Sequence, residues 1–141
     1  MGRAEPVFPA ATGAASLGLT RGQVVQELGW DTDSDEQLRD EVMNLIDGEL
    51  VEETVDAVDV VLLWWRNEDG DVVDGLVDSL TDLSASGCIW LVTPKVGRTG
   101  HVDPTDLAEG ALTAGLSLTR SASVSQDWQA HRIVRPKGAR K

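Results

Sequence analysis

Val60-Val61-Leu62-Leu63-Trp64-Trp65, then the polar turn Arg66-Asn67-Glu68-Asp69-Gly70, then a helical pattern, then Cys88-Ile89-Trp90-Leu91-Val92: this stretch decides the fold of the 141-residue chain. An apolar run of about six residues without alternation suits a strand covered on both faces, as in parallel sheets flanked by helices. The interval between the two runs repeats at helical spacing. Val72, Val73, Leu76, Val77, Leu80 and Leu83 fall on one side, and Asp71, Asp74, Asp78 and Asp82 on the other. The segment Asp59 to Lys95 therefore reads as strand, crossover helix beginning near Gly70, and parallel strand, with Gly87 ending the connection.

Working outward, residues 1–16 are rich in Ala, Gly and Pro and read as a flexible leader. Residues 17–136 read as a single α/β domain, and residues 137–141 as a frayed basic tail. Within the domain, Gln23 to Leu28 is β-prone and ends at Gly29. Ser34 with Gln37 has the form of a capping box ahead of a stripe of Leu38, Val42, Leu45 and Ile46, stopped at Asp47-Gly48. Glu49 to Glu52 reads as a short edge strand. Asp103-Pro104 is a strong helix start, with Leu107, Ala108, Ala111 and Leu112 inward and Gly115 at the end. Leu116 to Val124 and Trp128 to Val134 alternate around Gln126-Asp127 as an antiparallel pair. The whole is a Rossmann-like three-layer α/β sandwich, its sheet mostly parallel and closed by a C-terminal antiparallel pair.

Charge is unevenly spread. The chain has 24 acidic and 12 basic residues, a net −12, and from Glu27 to Asp82 the only bases are Arg39 and Arg66. Lys95 to Lys141 reverses the balance, with 8 bases against 4 acids. An acidic half of this weight argues against nucleic acid as a partner, since non-specific affinity comes from neutralising phosphates. No stretch approaches 18 apolar residues, and the N-terminus lacks the marks of a signal peptide, so neither membrane nor export is expected. A single cysteine, Cys88, inside a predicted strand reads as a small buried hydrophobe, and the expected compartment is the cytoplasm.

Two places invite chemistry. The loop Lys95 to His101 follows a parallel strand, on the side where α/β folds bind ligands, and collects Lys95, Arg98 and His101 with two glycines. Parallel neighbours finish on one side, so Trp64-Trp65-Arg66 reaches the same rim. Trp65, Arg66, Lys95, Arg98 and His101 together form the candidate site for a protein partner or a small anionic ligand. Adjacent strand residues face opposite ways, so Trp64 and Trp65 cannot share one pocket unless the strand has ended. The acid row Asp71, Asp74, Asp78 and Asp82 encloses no metal, there is no zinc-like ligand set, and no P-loop or nucleophile elbow is present.

The element order across about residues 20–135 resembles the S-adenosylmethionine-dependent methyltransferase fold. That resemblance implies a glycine-rich cofactor turn, commonly Glu-x-Gly-x-Gly-x-Gly, after the first strand. The chain has Glu27-Leu28-Gly29-Trp30-Asp31-Thr32-Asp33 there: Glu27 and Gly29 match, while Asp31 and Asp33 replace the later glycines. Side chains obstruct the close backbone approach that glycine permits. The expectation is a reduced fold without cofactor, acting as a binding or regulatory protein. The enzyme alternative has Glu27, Gly29 and Asp31 holding S-adenosylmethionine, and a third reading is a small-anion or nucleotide sensor. Opposite charge ends and surface aromatics are also compatible with a two-fold homodimer.

Leu17-Gly18-Leu19, Gly22 to Gly29, Leu62-Leu63-Trp64-Trp65-Arg66-Asn67-Glu68-Asp69-Gly70-Asp71, Trp90 to Arg98 and Asp127-Trp128 with Arg132 are similar to the actinobacterial family called domain of unknown function 3052. This resemblance spans about residues 17–137. It implies a small cytoplasmic protein and brings no catalytic residues with it.

Overall fold

The computed structural model describes residues 13–53 and 56–136. A five-stranded sheet runs in the order β1-β2-β3-β5-β4, formed by β1 (Val25–Leu28), β2 (Val58–Trp64), β3 (Leu83–Pro94), β4 (Ser117–Ser123) and β5 (Trp128–Val134). β1 and β3 flank β2 in parallel, and β5 pairs antiparallel with both β3 and β4. The expected mostly parallel sheet closed by an antiparallel pair is present, and the two apolar runs are its central strands.

Among the described residues three α-helices cover the sheet: α1 (Glu36–Ile46), α2 (Val72–Ser79) and α3 (Pro104–Thr113). Side chains alternate across the strands and build two cores. On one face Leu38, Val42 and Ile46 of α1 meet Val60, Leu62, Trp64, Trp90 and Val92. On the other, Val72 and Leu76 of α2 and Leu107 and Ala111 of α3 meet Val61, Leu63, Ile89, Leu91 and Ile133. Trp64 and Trp65 part as strand geometry requires: Trp64 is fully buried on the α1 face, and Trp65 packs against the core under α2.

Several boundaries differ from the pattern, each for a local reason. Asp35, not Ser34, caps α1, its carboxylate accepting from the Leu38 amide at 3.0 Å. The crossover helix stops at Ser79, and Leu83 opens β3 instead of closing the helix. Gly87 lies within β3, at a shift in which Val58 pairs with Leu83 but Val60 with Cys88, so extra residues bulge from β3 there. Glu49 to Glu52 contributes only one parallel bridge, Gln26 to Val51, at the β1 edge. On α3, Gly110 is buried while Leu112 is exposed. Order reaches back into the expected leader, because Gly13–Leu17 forms a 3-10 helix whose Ala14 and Leu17 join the α1-side core. The rest of that leader and the basic tail lie outside the described residues.

Candidate functional site

The C-terminal ends of β1, β2 and β3 lie on one rim, as Trp64 pairs with Val92 and Leu28 with Leu63. Arg66 emerges here, directly after β2. Its side chain turns inward, and the residue is only 5% exposed. Nε and Nη2 donate to the two oxygens of Asp33 at 3.2 and 2.5 Å, Nη1 donates to the Gly29 carbonyl at 2.6 Å, and Nη2 also reaches Ser34 Oγ at 3.1 Å. The guanidinium carbon lies 5.5 Å from the centre of the Trp128 ring, which in turn meets Trp64 edge-on at 5.0 Å. Burial opposes the Arg66 charge, but hydrogen bonding to Asp33 and the charges of Asp33 and Asp69 outweigh it and raise its pKa.

The turn after β1 is closed on itself. Gly29 has φ +77°, and a Cβ there would lie 2.3 Å from the Trp64 carbonyl oxygen. Its missing side chain thus makes room for β2. The Asp31 amide donates to Ser34 Oγ at 3.0 Å, the Ser34 amide donates to the Asp31 carbonyl, and the Asp31 carboxylate accepts from the Thr32 amide at 2.7 Å. Glu27 is 4% exposed and fully engaged: Arg39 of α1 donates to both its oxygens at 2.7 and 2.8 Å, and the buried Trp64 indole donates at 2.9 Å. Hydrogen bonding to Glu27 is also the main cause of the raised pKa of Arg39.

The loop after β3 packs above Arg66. A Cβ on Gly100 would touch the Arg66 Cβ at 3.1 Å, and the Asn67 amide donates to the Gly100 carbonyl at 2.8 Å, so the loop after β3 packs on the turn after β2. Lys95 Nζ donates to Ser123 Oγ at 2.5 Å, Arg98 pairs with Asp127 at 2.7 Å, and His101 Nδ1 lies 3.0 Å from the Pro94 carbonyl. Trp65 is half-buried over Gly75, where a Cβ would meet its ring at 2.6 Å. Lys95 and Arg98 thus turn toward Ser123 and Asp127 at the β4–β5 end while Trp65 turns toward α2, and Val96 between the two bases is 77% exposed.

One buried polar group had no sequence signal at all. His131, on β5, is 3% exposed and sits between the hydroxyls of Ser121 (2.6 Å to Nδ1) and Thr93 (3.4 Å to Nε2). Burial first, then the charge of His101, lowers its pKa to about 4, so it is neutral at pH 7. Among the described residues no group of three or more His, Cys, Asp or Glu could hold a metal, and no helix is long and apolar enough to cross a membrane.

The family described as "Protein of unknown function (DUF3052)" matches residues 14–137. The chain belongs to this family. Members similar to it include the "Uncharacterized protein Rv2239c" of Mycobacterium tuberculosis and the "Uncharacterized protein Mb2263c" of Mycobacterium bovis, each 50% identical over 125 residues, or 88% of this chain and 78% of the relative. Among solved structures, this DUF3052 chain is similar to the S-adenosylmethionine-dependent methyltransferase from Thiobacillus denitrificans in complex with S-adenosyl-L-homocysteine. The TM-score is 0.56 at 9% identity, covering 87% of this chain and 89% of that one. The CcbJ methyltransferase from Streptomyces caelestis gives 0.55 at 11%, covering 86% and 88%. The O-methyltransferase NcsB1 from neocarzinostatin biosynthesis gives 0.60 at 10%, covering 89% of this chain but about half, 51%, of its own. The DUF3052 chain thus has a methyltransferase-like, Rossmann-like fold.

Proposed function

We propose that this protein is a cytoplasmic binding or regulatory protein that uses a methyltransferase-like fold without methyl transfer. The observation that carries this reading is the placement of Arg66. Its guanidinium covers the Gly29 carbonyl and ties down Asp33, in the turn after β1 to which the methyltransferase resemblance assigns the glycine-rich cofactor motif. The residues present do not fit S-adenosylmethionine. The open side of Gly29 is filled by the Trp64 carbonyl, Glu27 is committed to Arg39 and Trp64, and Asp31 is folded into its own turn. Dismantling that set to admit a ligand would break a largely buried ion-pair network, a loss of several kcal/mol.

Calorimetric titration with S-adenosylmethionine and S-adenosyl-L-homocysteine to millimolar concentration is the test. No heat and no thermal stabilisation are expected; a saturable one-to-one isotherm overturns the reading. On this proposal the rim residues Trp65, Lys95, Arg98 and His101 meet a protein or small anionic ligand, and Arg66 supports the loop of the last three from beneath through its packing against Gly100.

A further inference from the structure

Far from that rim, where β3 begins and β5 finishes, a cavity of about 580 Å³ opens on the sheet, a volume suited to a small molecule. It is lined by strand and strand-end residues and by no described helix. Arg132 and Arg135 line it together with the hydroxyls of Ser86, Ser117 and Thr119, and Val134 supplies an apolar wall.

The arginines are set in an unfavourable way. Arg132 of β5 is paired in register directly with Arg120 of β4, on the face where Trp90 lies opposite Arg132 on its other side. Like charges directly opposite one another across a ladder destabilise a sheet. No relief comes from carboxylates: Arg21, Arg39, Arg66 and Arg98 all pair with acids, but among the described residues no acid forms an ion pair with Arg120, Arg132 or Arg135. This occurs in a chain with twice as many acids as bases. Arg120 is held over the Trp90 ring at 5.0 Å with one Nη2 bond to the Ser16 carbonyl, and Arg135 clamps the Ser84 and Leu83 carbonyls. Arg132 reaches Thr119 Oγ1 from Nη1 at a long 3.4 Å and hydrogen-bonds the Cys88 thiol, while the Thr119 hydroxyl donates to the Arg132 carbonyl at 3.2 Å, so part of its donor fork has no partner among the described residues. The register shift between Leu118 and Arg120 bends β4 at this point, a feature common beside binding sites.

We infer that this groove is an anion site for a phosphate-bearing small molecule, with the Arg132 fork as its anchor, Arg135 as a second charge in the lining and the Ser86 and Ser117 hydroxyls as additional donors. Several fixed donors around one oxyanion suit tetrahedral phosphate, and the Val134 wall suits an apolar portion of the ligand. The inference does not rest on the cofactor reading, since it concerns a different end of the sheet and a different ligand.

The experiment is thermal unfolding and calorimetry of the whole protein with inorganic phosphate, pyrophosphate and citrate, against sodium chloride at matched ionic strength. Phosphate and pyrophosphate are expected to raise Tm saturably, and Arg132→Gln to weaken that binding about ten- to hundredfold. Ser117→Asp, which places a carboxylate beside the arginines at a half-exposed strand position, should raise Tm in phosphate-free buffer and abolish the phosphate response, so the question stays decidable if Arg132→Gln fails to fold. A phosphate effect no larger than that of chloride, an unchanged response in Ser117→Asp, or a response to citrate alone overturns the proposal. So does a response that tracks protein concentration in sedimentation, which would assign the arginines to the acidic half of a second copy.

Discussion

Arg66 and Arg132 are the same residue type on the same sheet, and they are treated in opposite ways. At the rim, Arg66 is enclosed by a carboxylate, a carbonyl, a hydroxyl and an aromatic face. At the other end, Arg132 faces another arginine across the ladder and meets only a long hydroxyl contact and the Cys88 thiol, with no carboxylate among the described residues. A guanidinium carries five donors and a charge that burial penalises, so it is either satisfied by the fold or kept for something else. The first arginine is structure. The second is available.

The comparison can be broken most directly at Arg66. Arg66→Ala leaves the Gly29 carbonyl unpartnered and removes the bidentate pair with the half-exposed Asp33, with an expected loss of about 3–4 kcal/mol in urea unfolding. A loss under about 1 kcal/mol would mean that Arg66 is not the lock described. Next is the pH response of His131. Its folded pKa of about 4 lies below the ordinary value of 6.5, so the unfolded chain binds the extra proton between those limits. Stability is therefore full above pH 6.5 and falls as pH drops toward 4, by on the order of 3 kcal/mol. His131→Gln should flatten that segment of the pH–stability curve; an equally steep fall in the variant assigns it to other groups.

Smaller effects sharpen the contrast. Asp33→Ala strips the carboxylate from Arg66 but leaves the guanidinium its Gly29 and Trp128 contacts, so about 2 kcal/mol is expected, less than the loss of Arg66 itself. Arg98→Ala removes a pair in which both side chains are half exposed, and should change stability by less than about 0.5 kcal/mol. Arg132→Gln, measured by urea unfolding without phosphate, should be nearly neutral or slightly stabilising, because it relieves the opposition to Arg120. If it instead costs as much as Arg66→Ala, the two arginines are alike after all.

What could be read from the chain alone follows the range of the interactions. β2, α2 and the core of β3 were legible because their signal is local: an unbroken apolar run, or apolar residues at helical spacing. The same holds for the Asp103-Pro104 start of α3. The lock on Arg66 was not legible, since Asp33 lies 33 residues away and nothing in the sequence couples the two. Glu27 matched a cofactor pattern by position, while its partners Arg39 and Trp64 come from a helix and a neighbouring strand. Arg120 opposite Arg132 depends on a strand register that includes a bulge, and one residue's slip would turn the side chain to the other face. The rim was found because parallel strands must end together. Which of its residues point in and which point out required the fold.

The two borders of the sheet are finished differently. β1 is closed by Val51, whose amide donates to the Val25 carbonyl at 3.0 Å and whose carbonyl accepts from the Glu27 amide at 2.7 Å. β4 has no such cover among the described residues, but its bulge near Thr119 and its Ser, Thr and Arg side chains make it a poor template for another chain. A sheet with Val-Val-Leu-Leu-Trp-Trp at its centre would otherwise be well suited to growing by accretion, strand upon strand, as newly made copies meet. The short Val51 segment and the kinked, polar β4 act as end-stops that confine this apolar interior to one molecule.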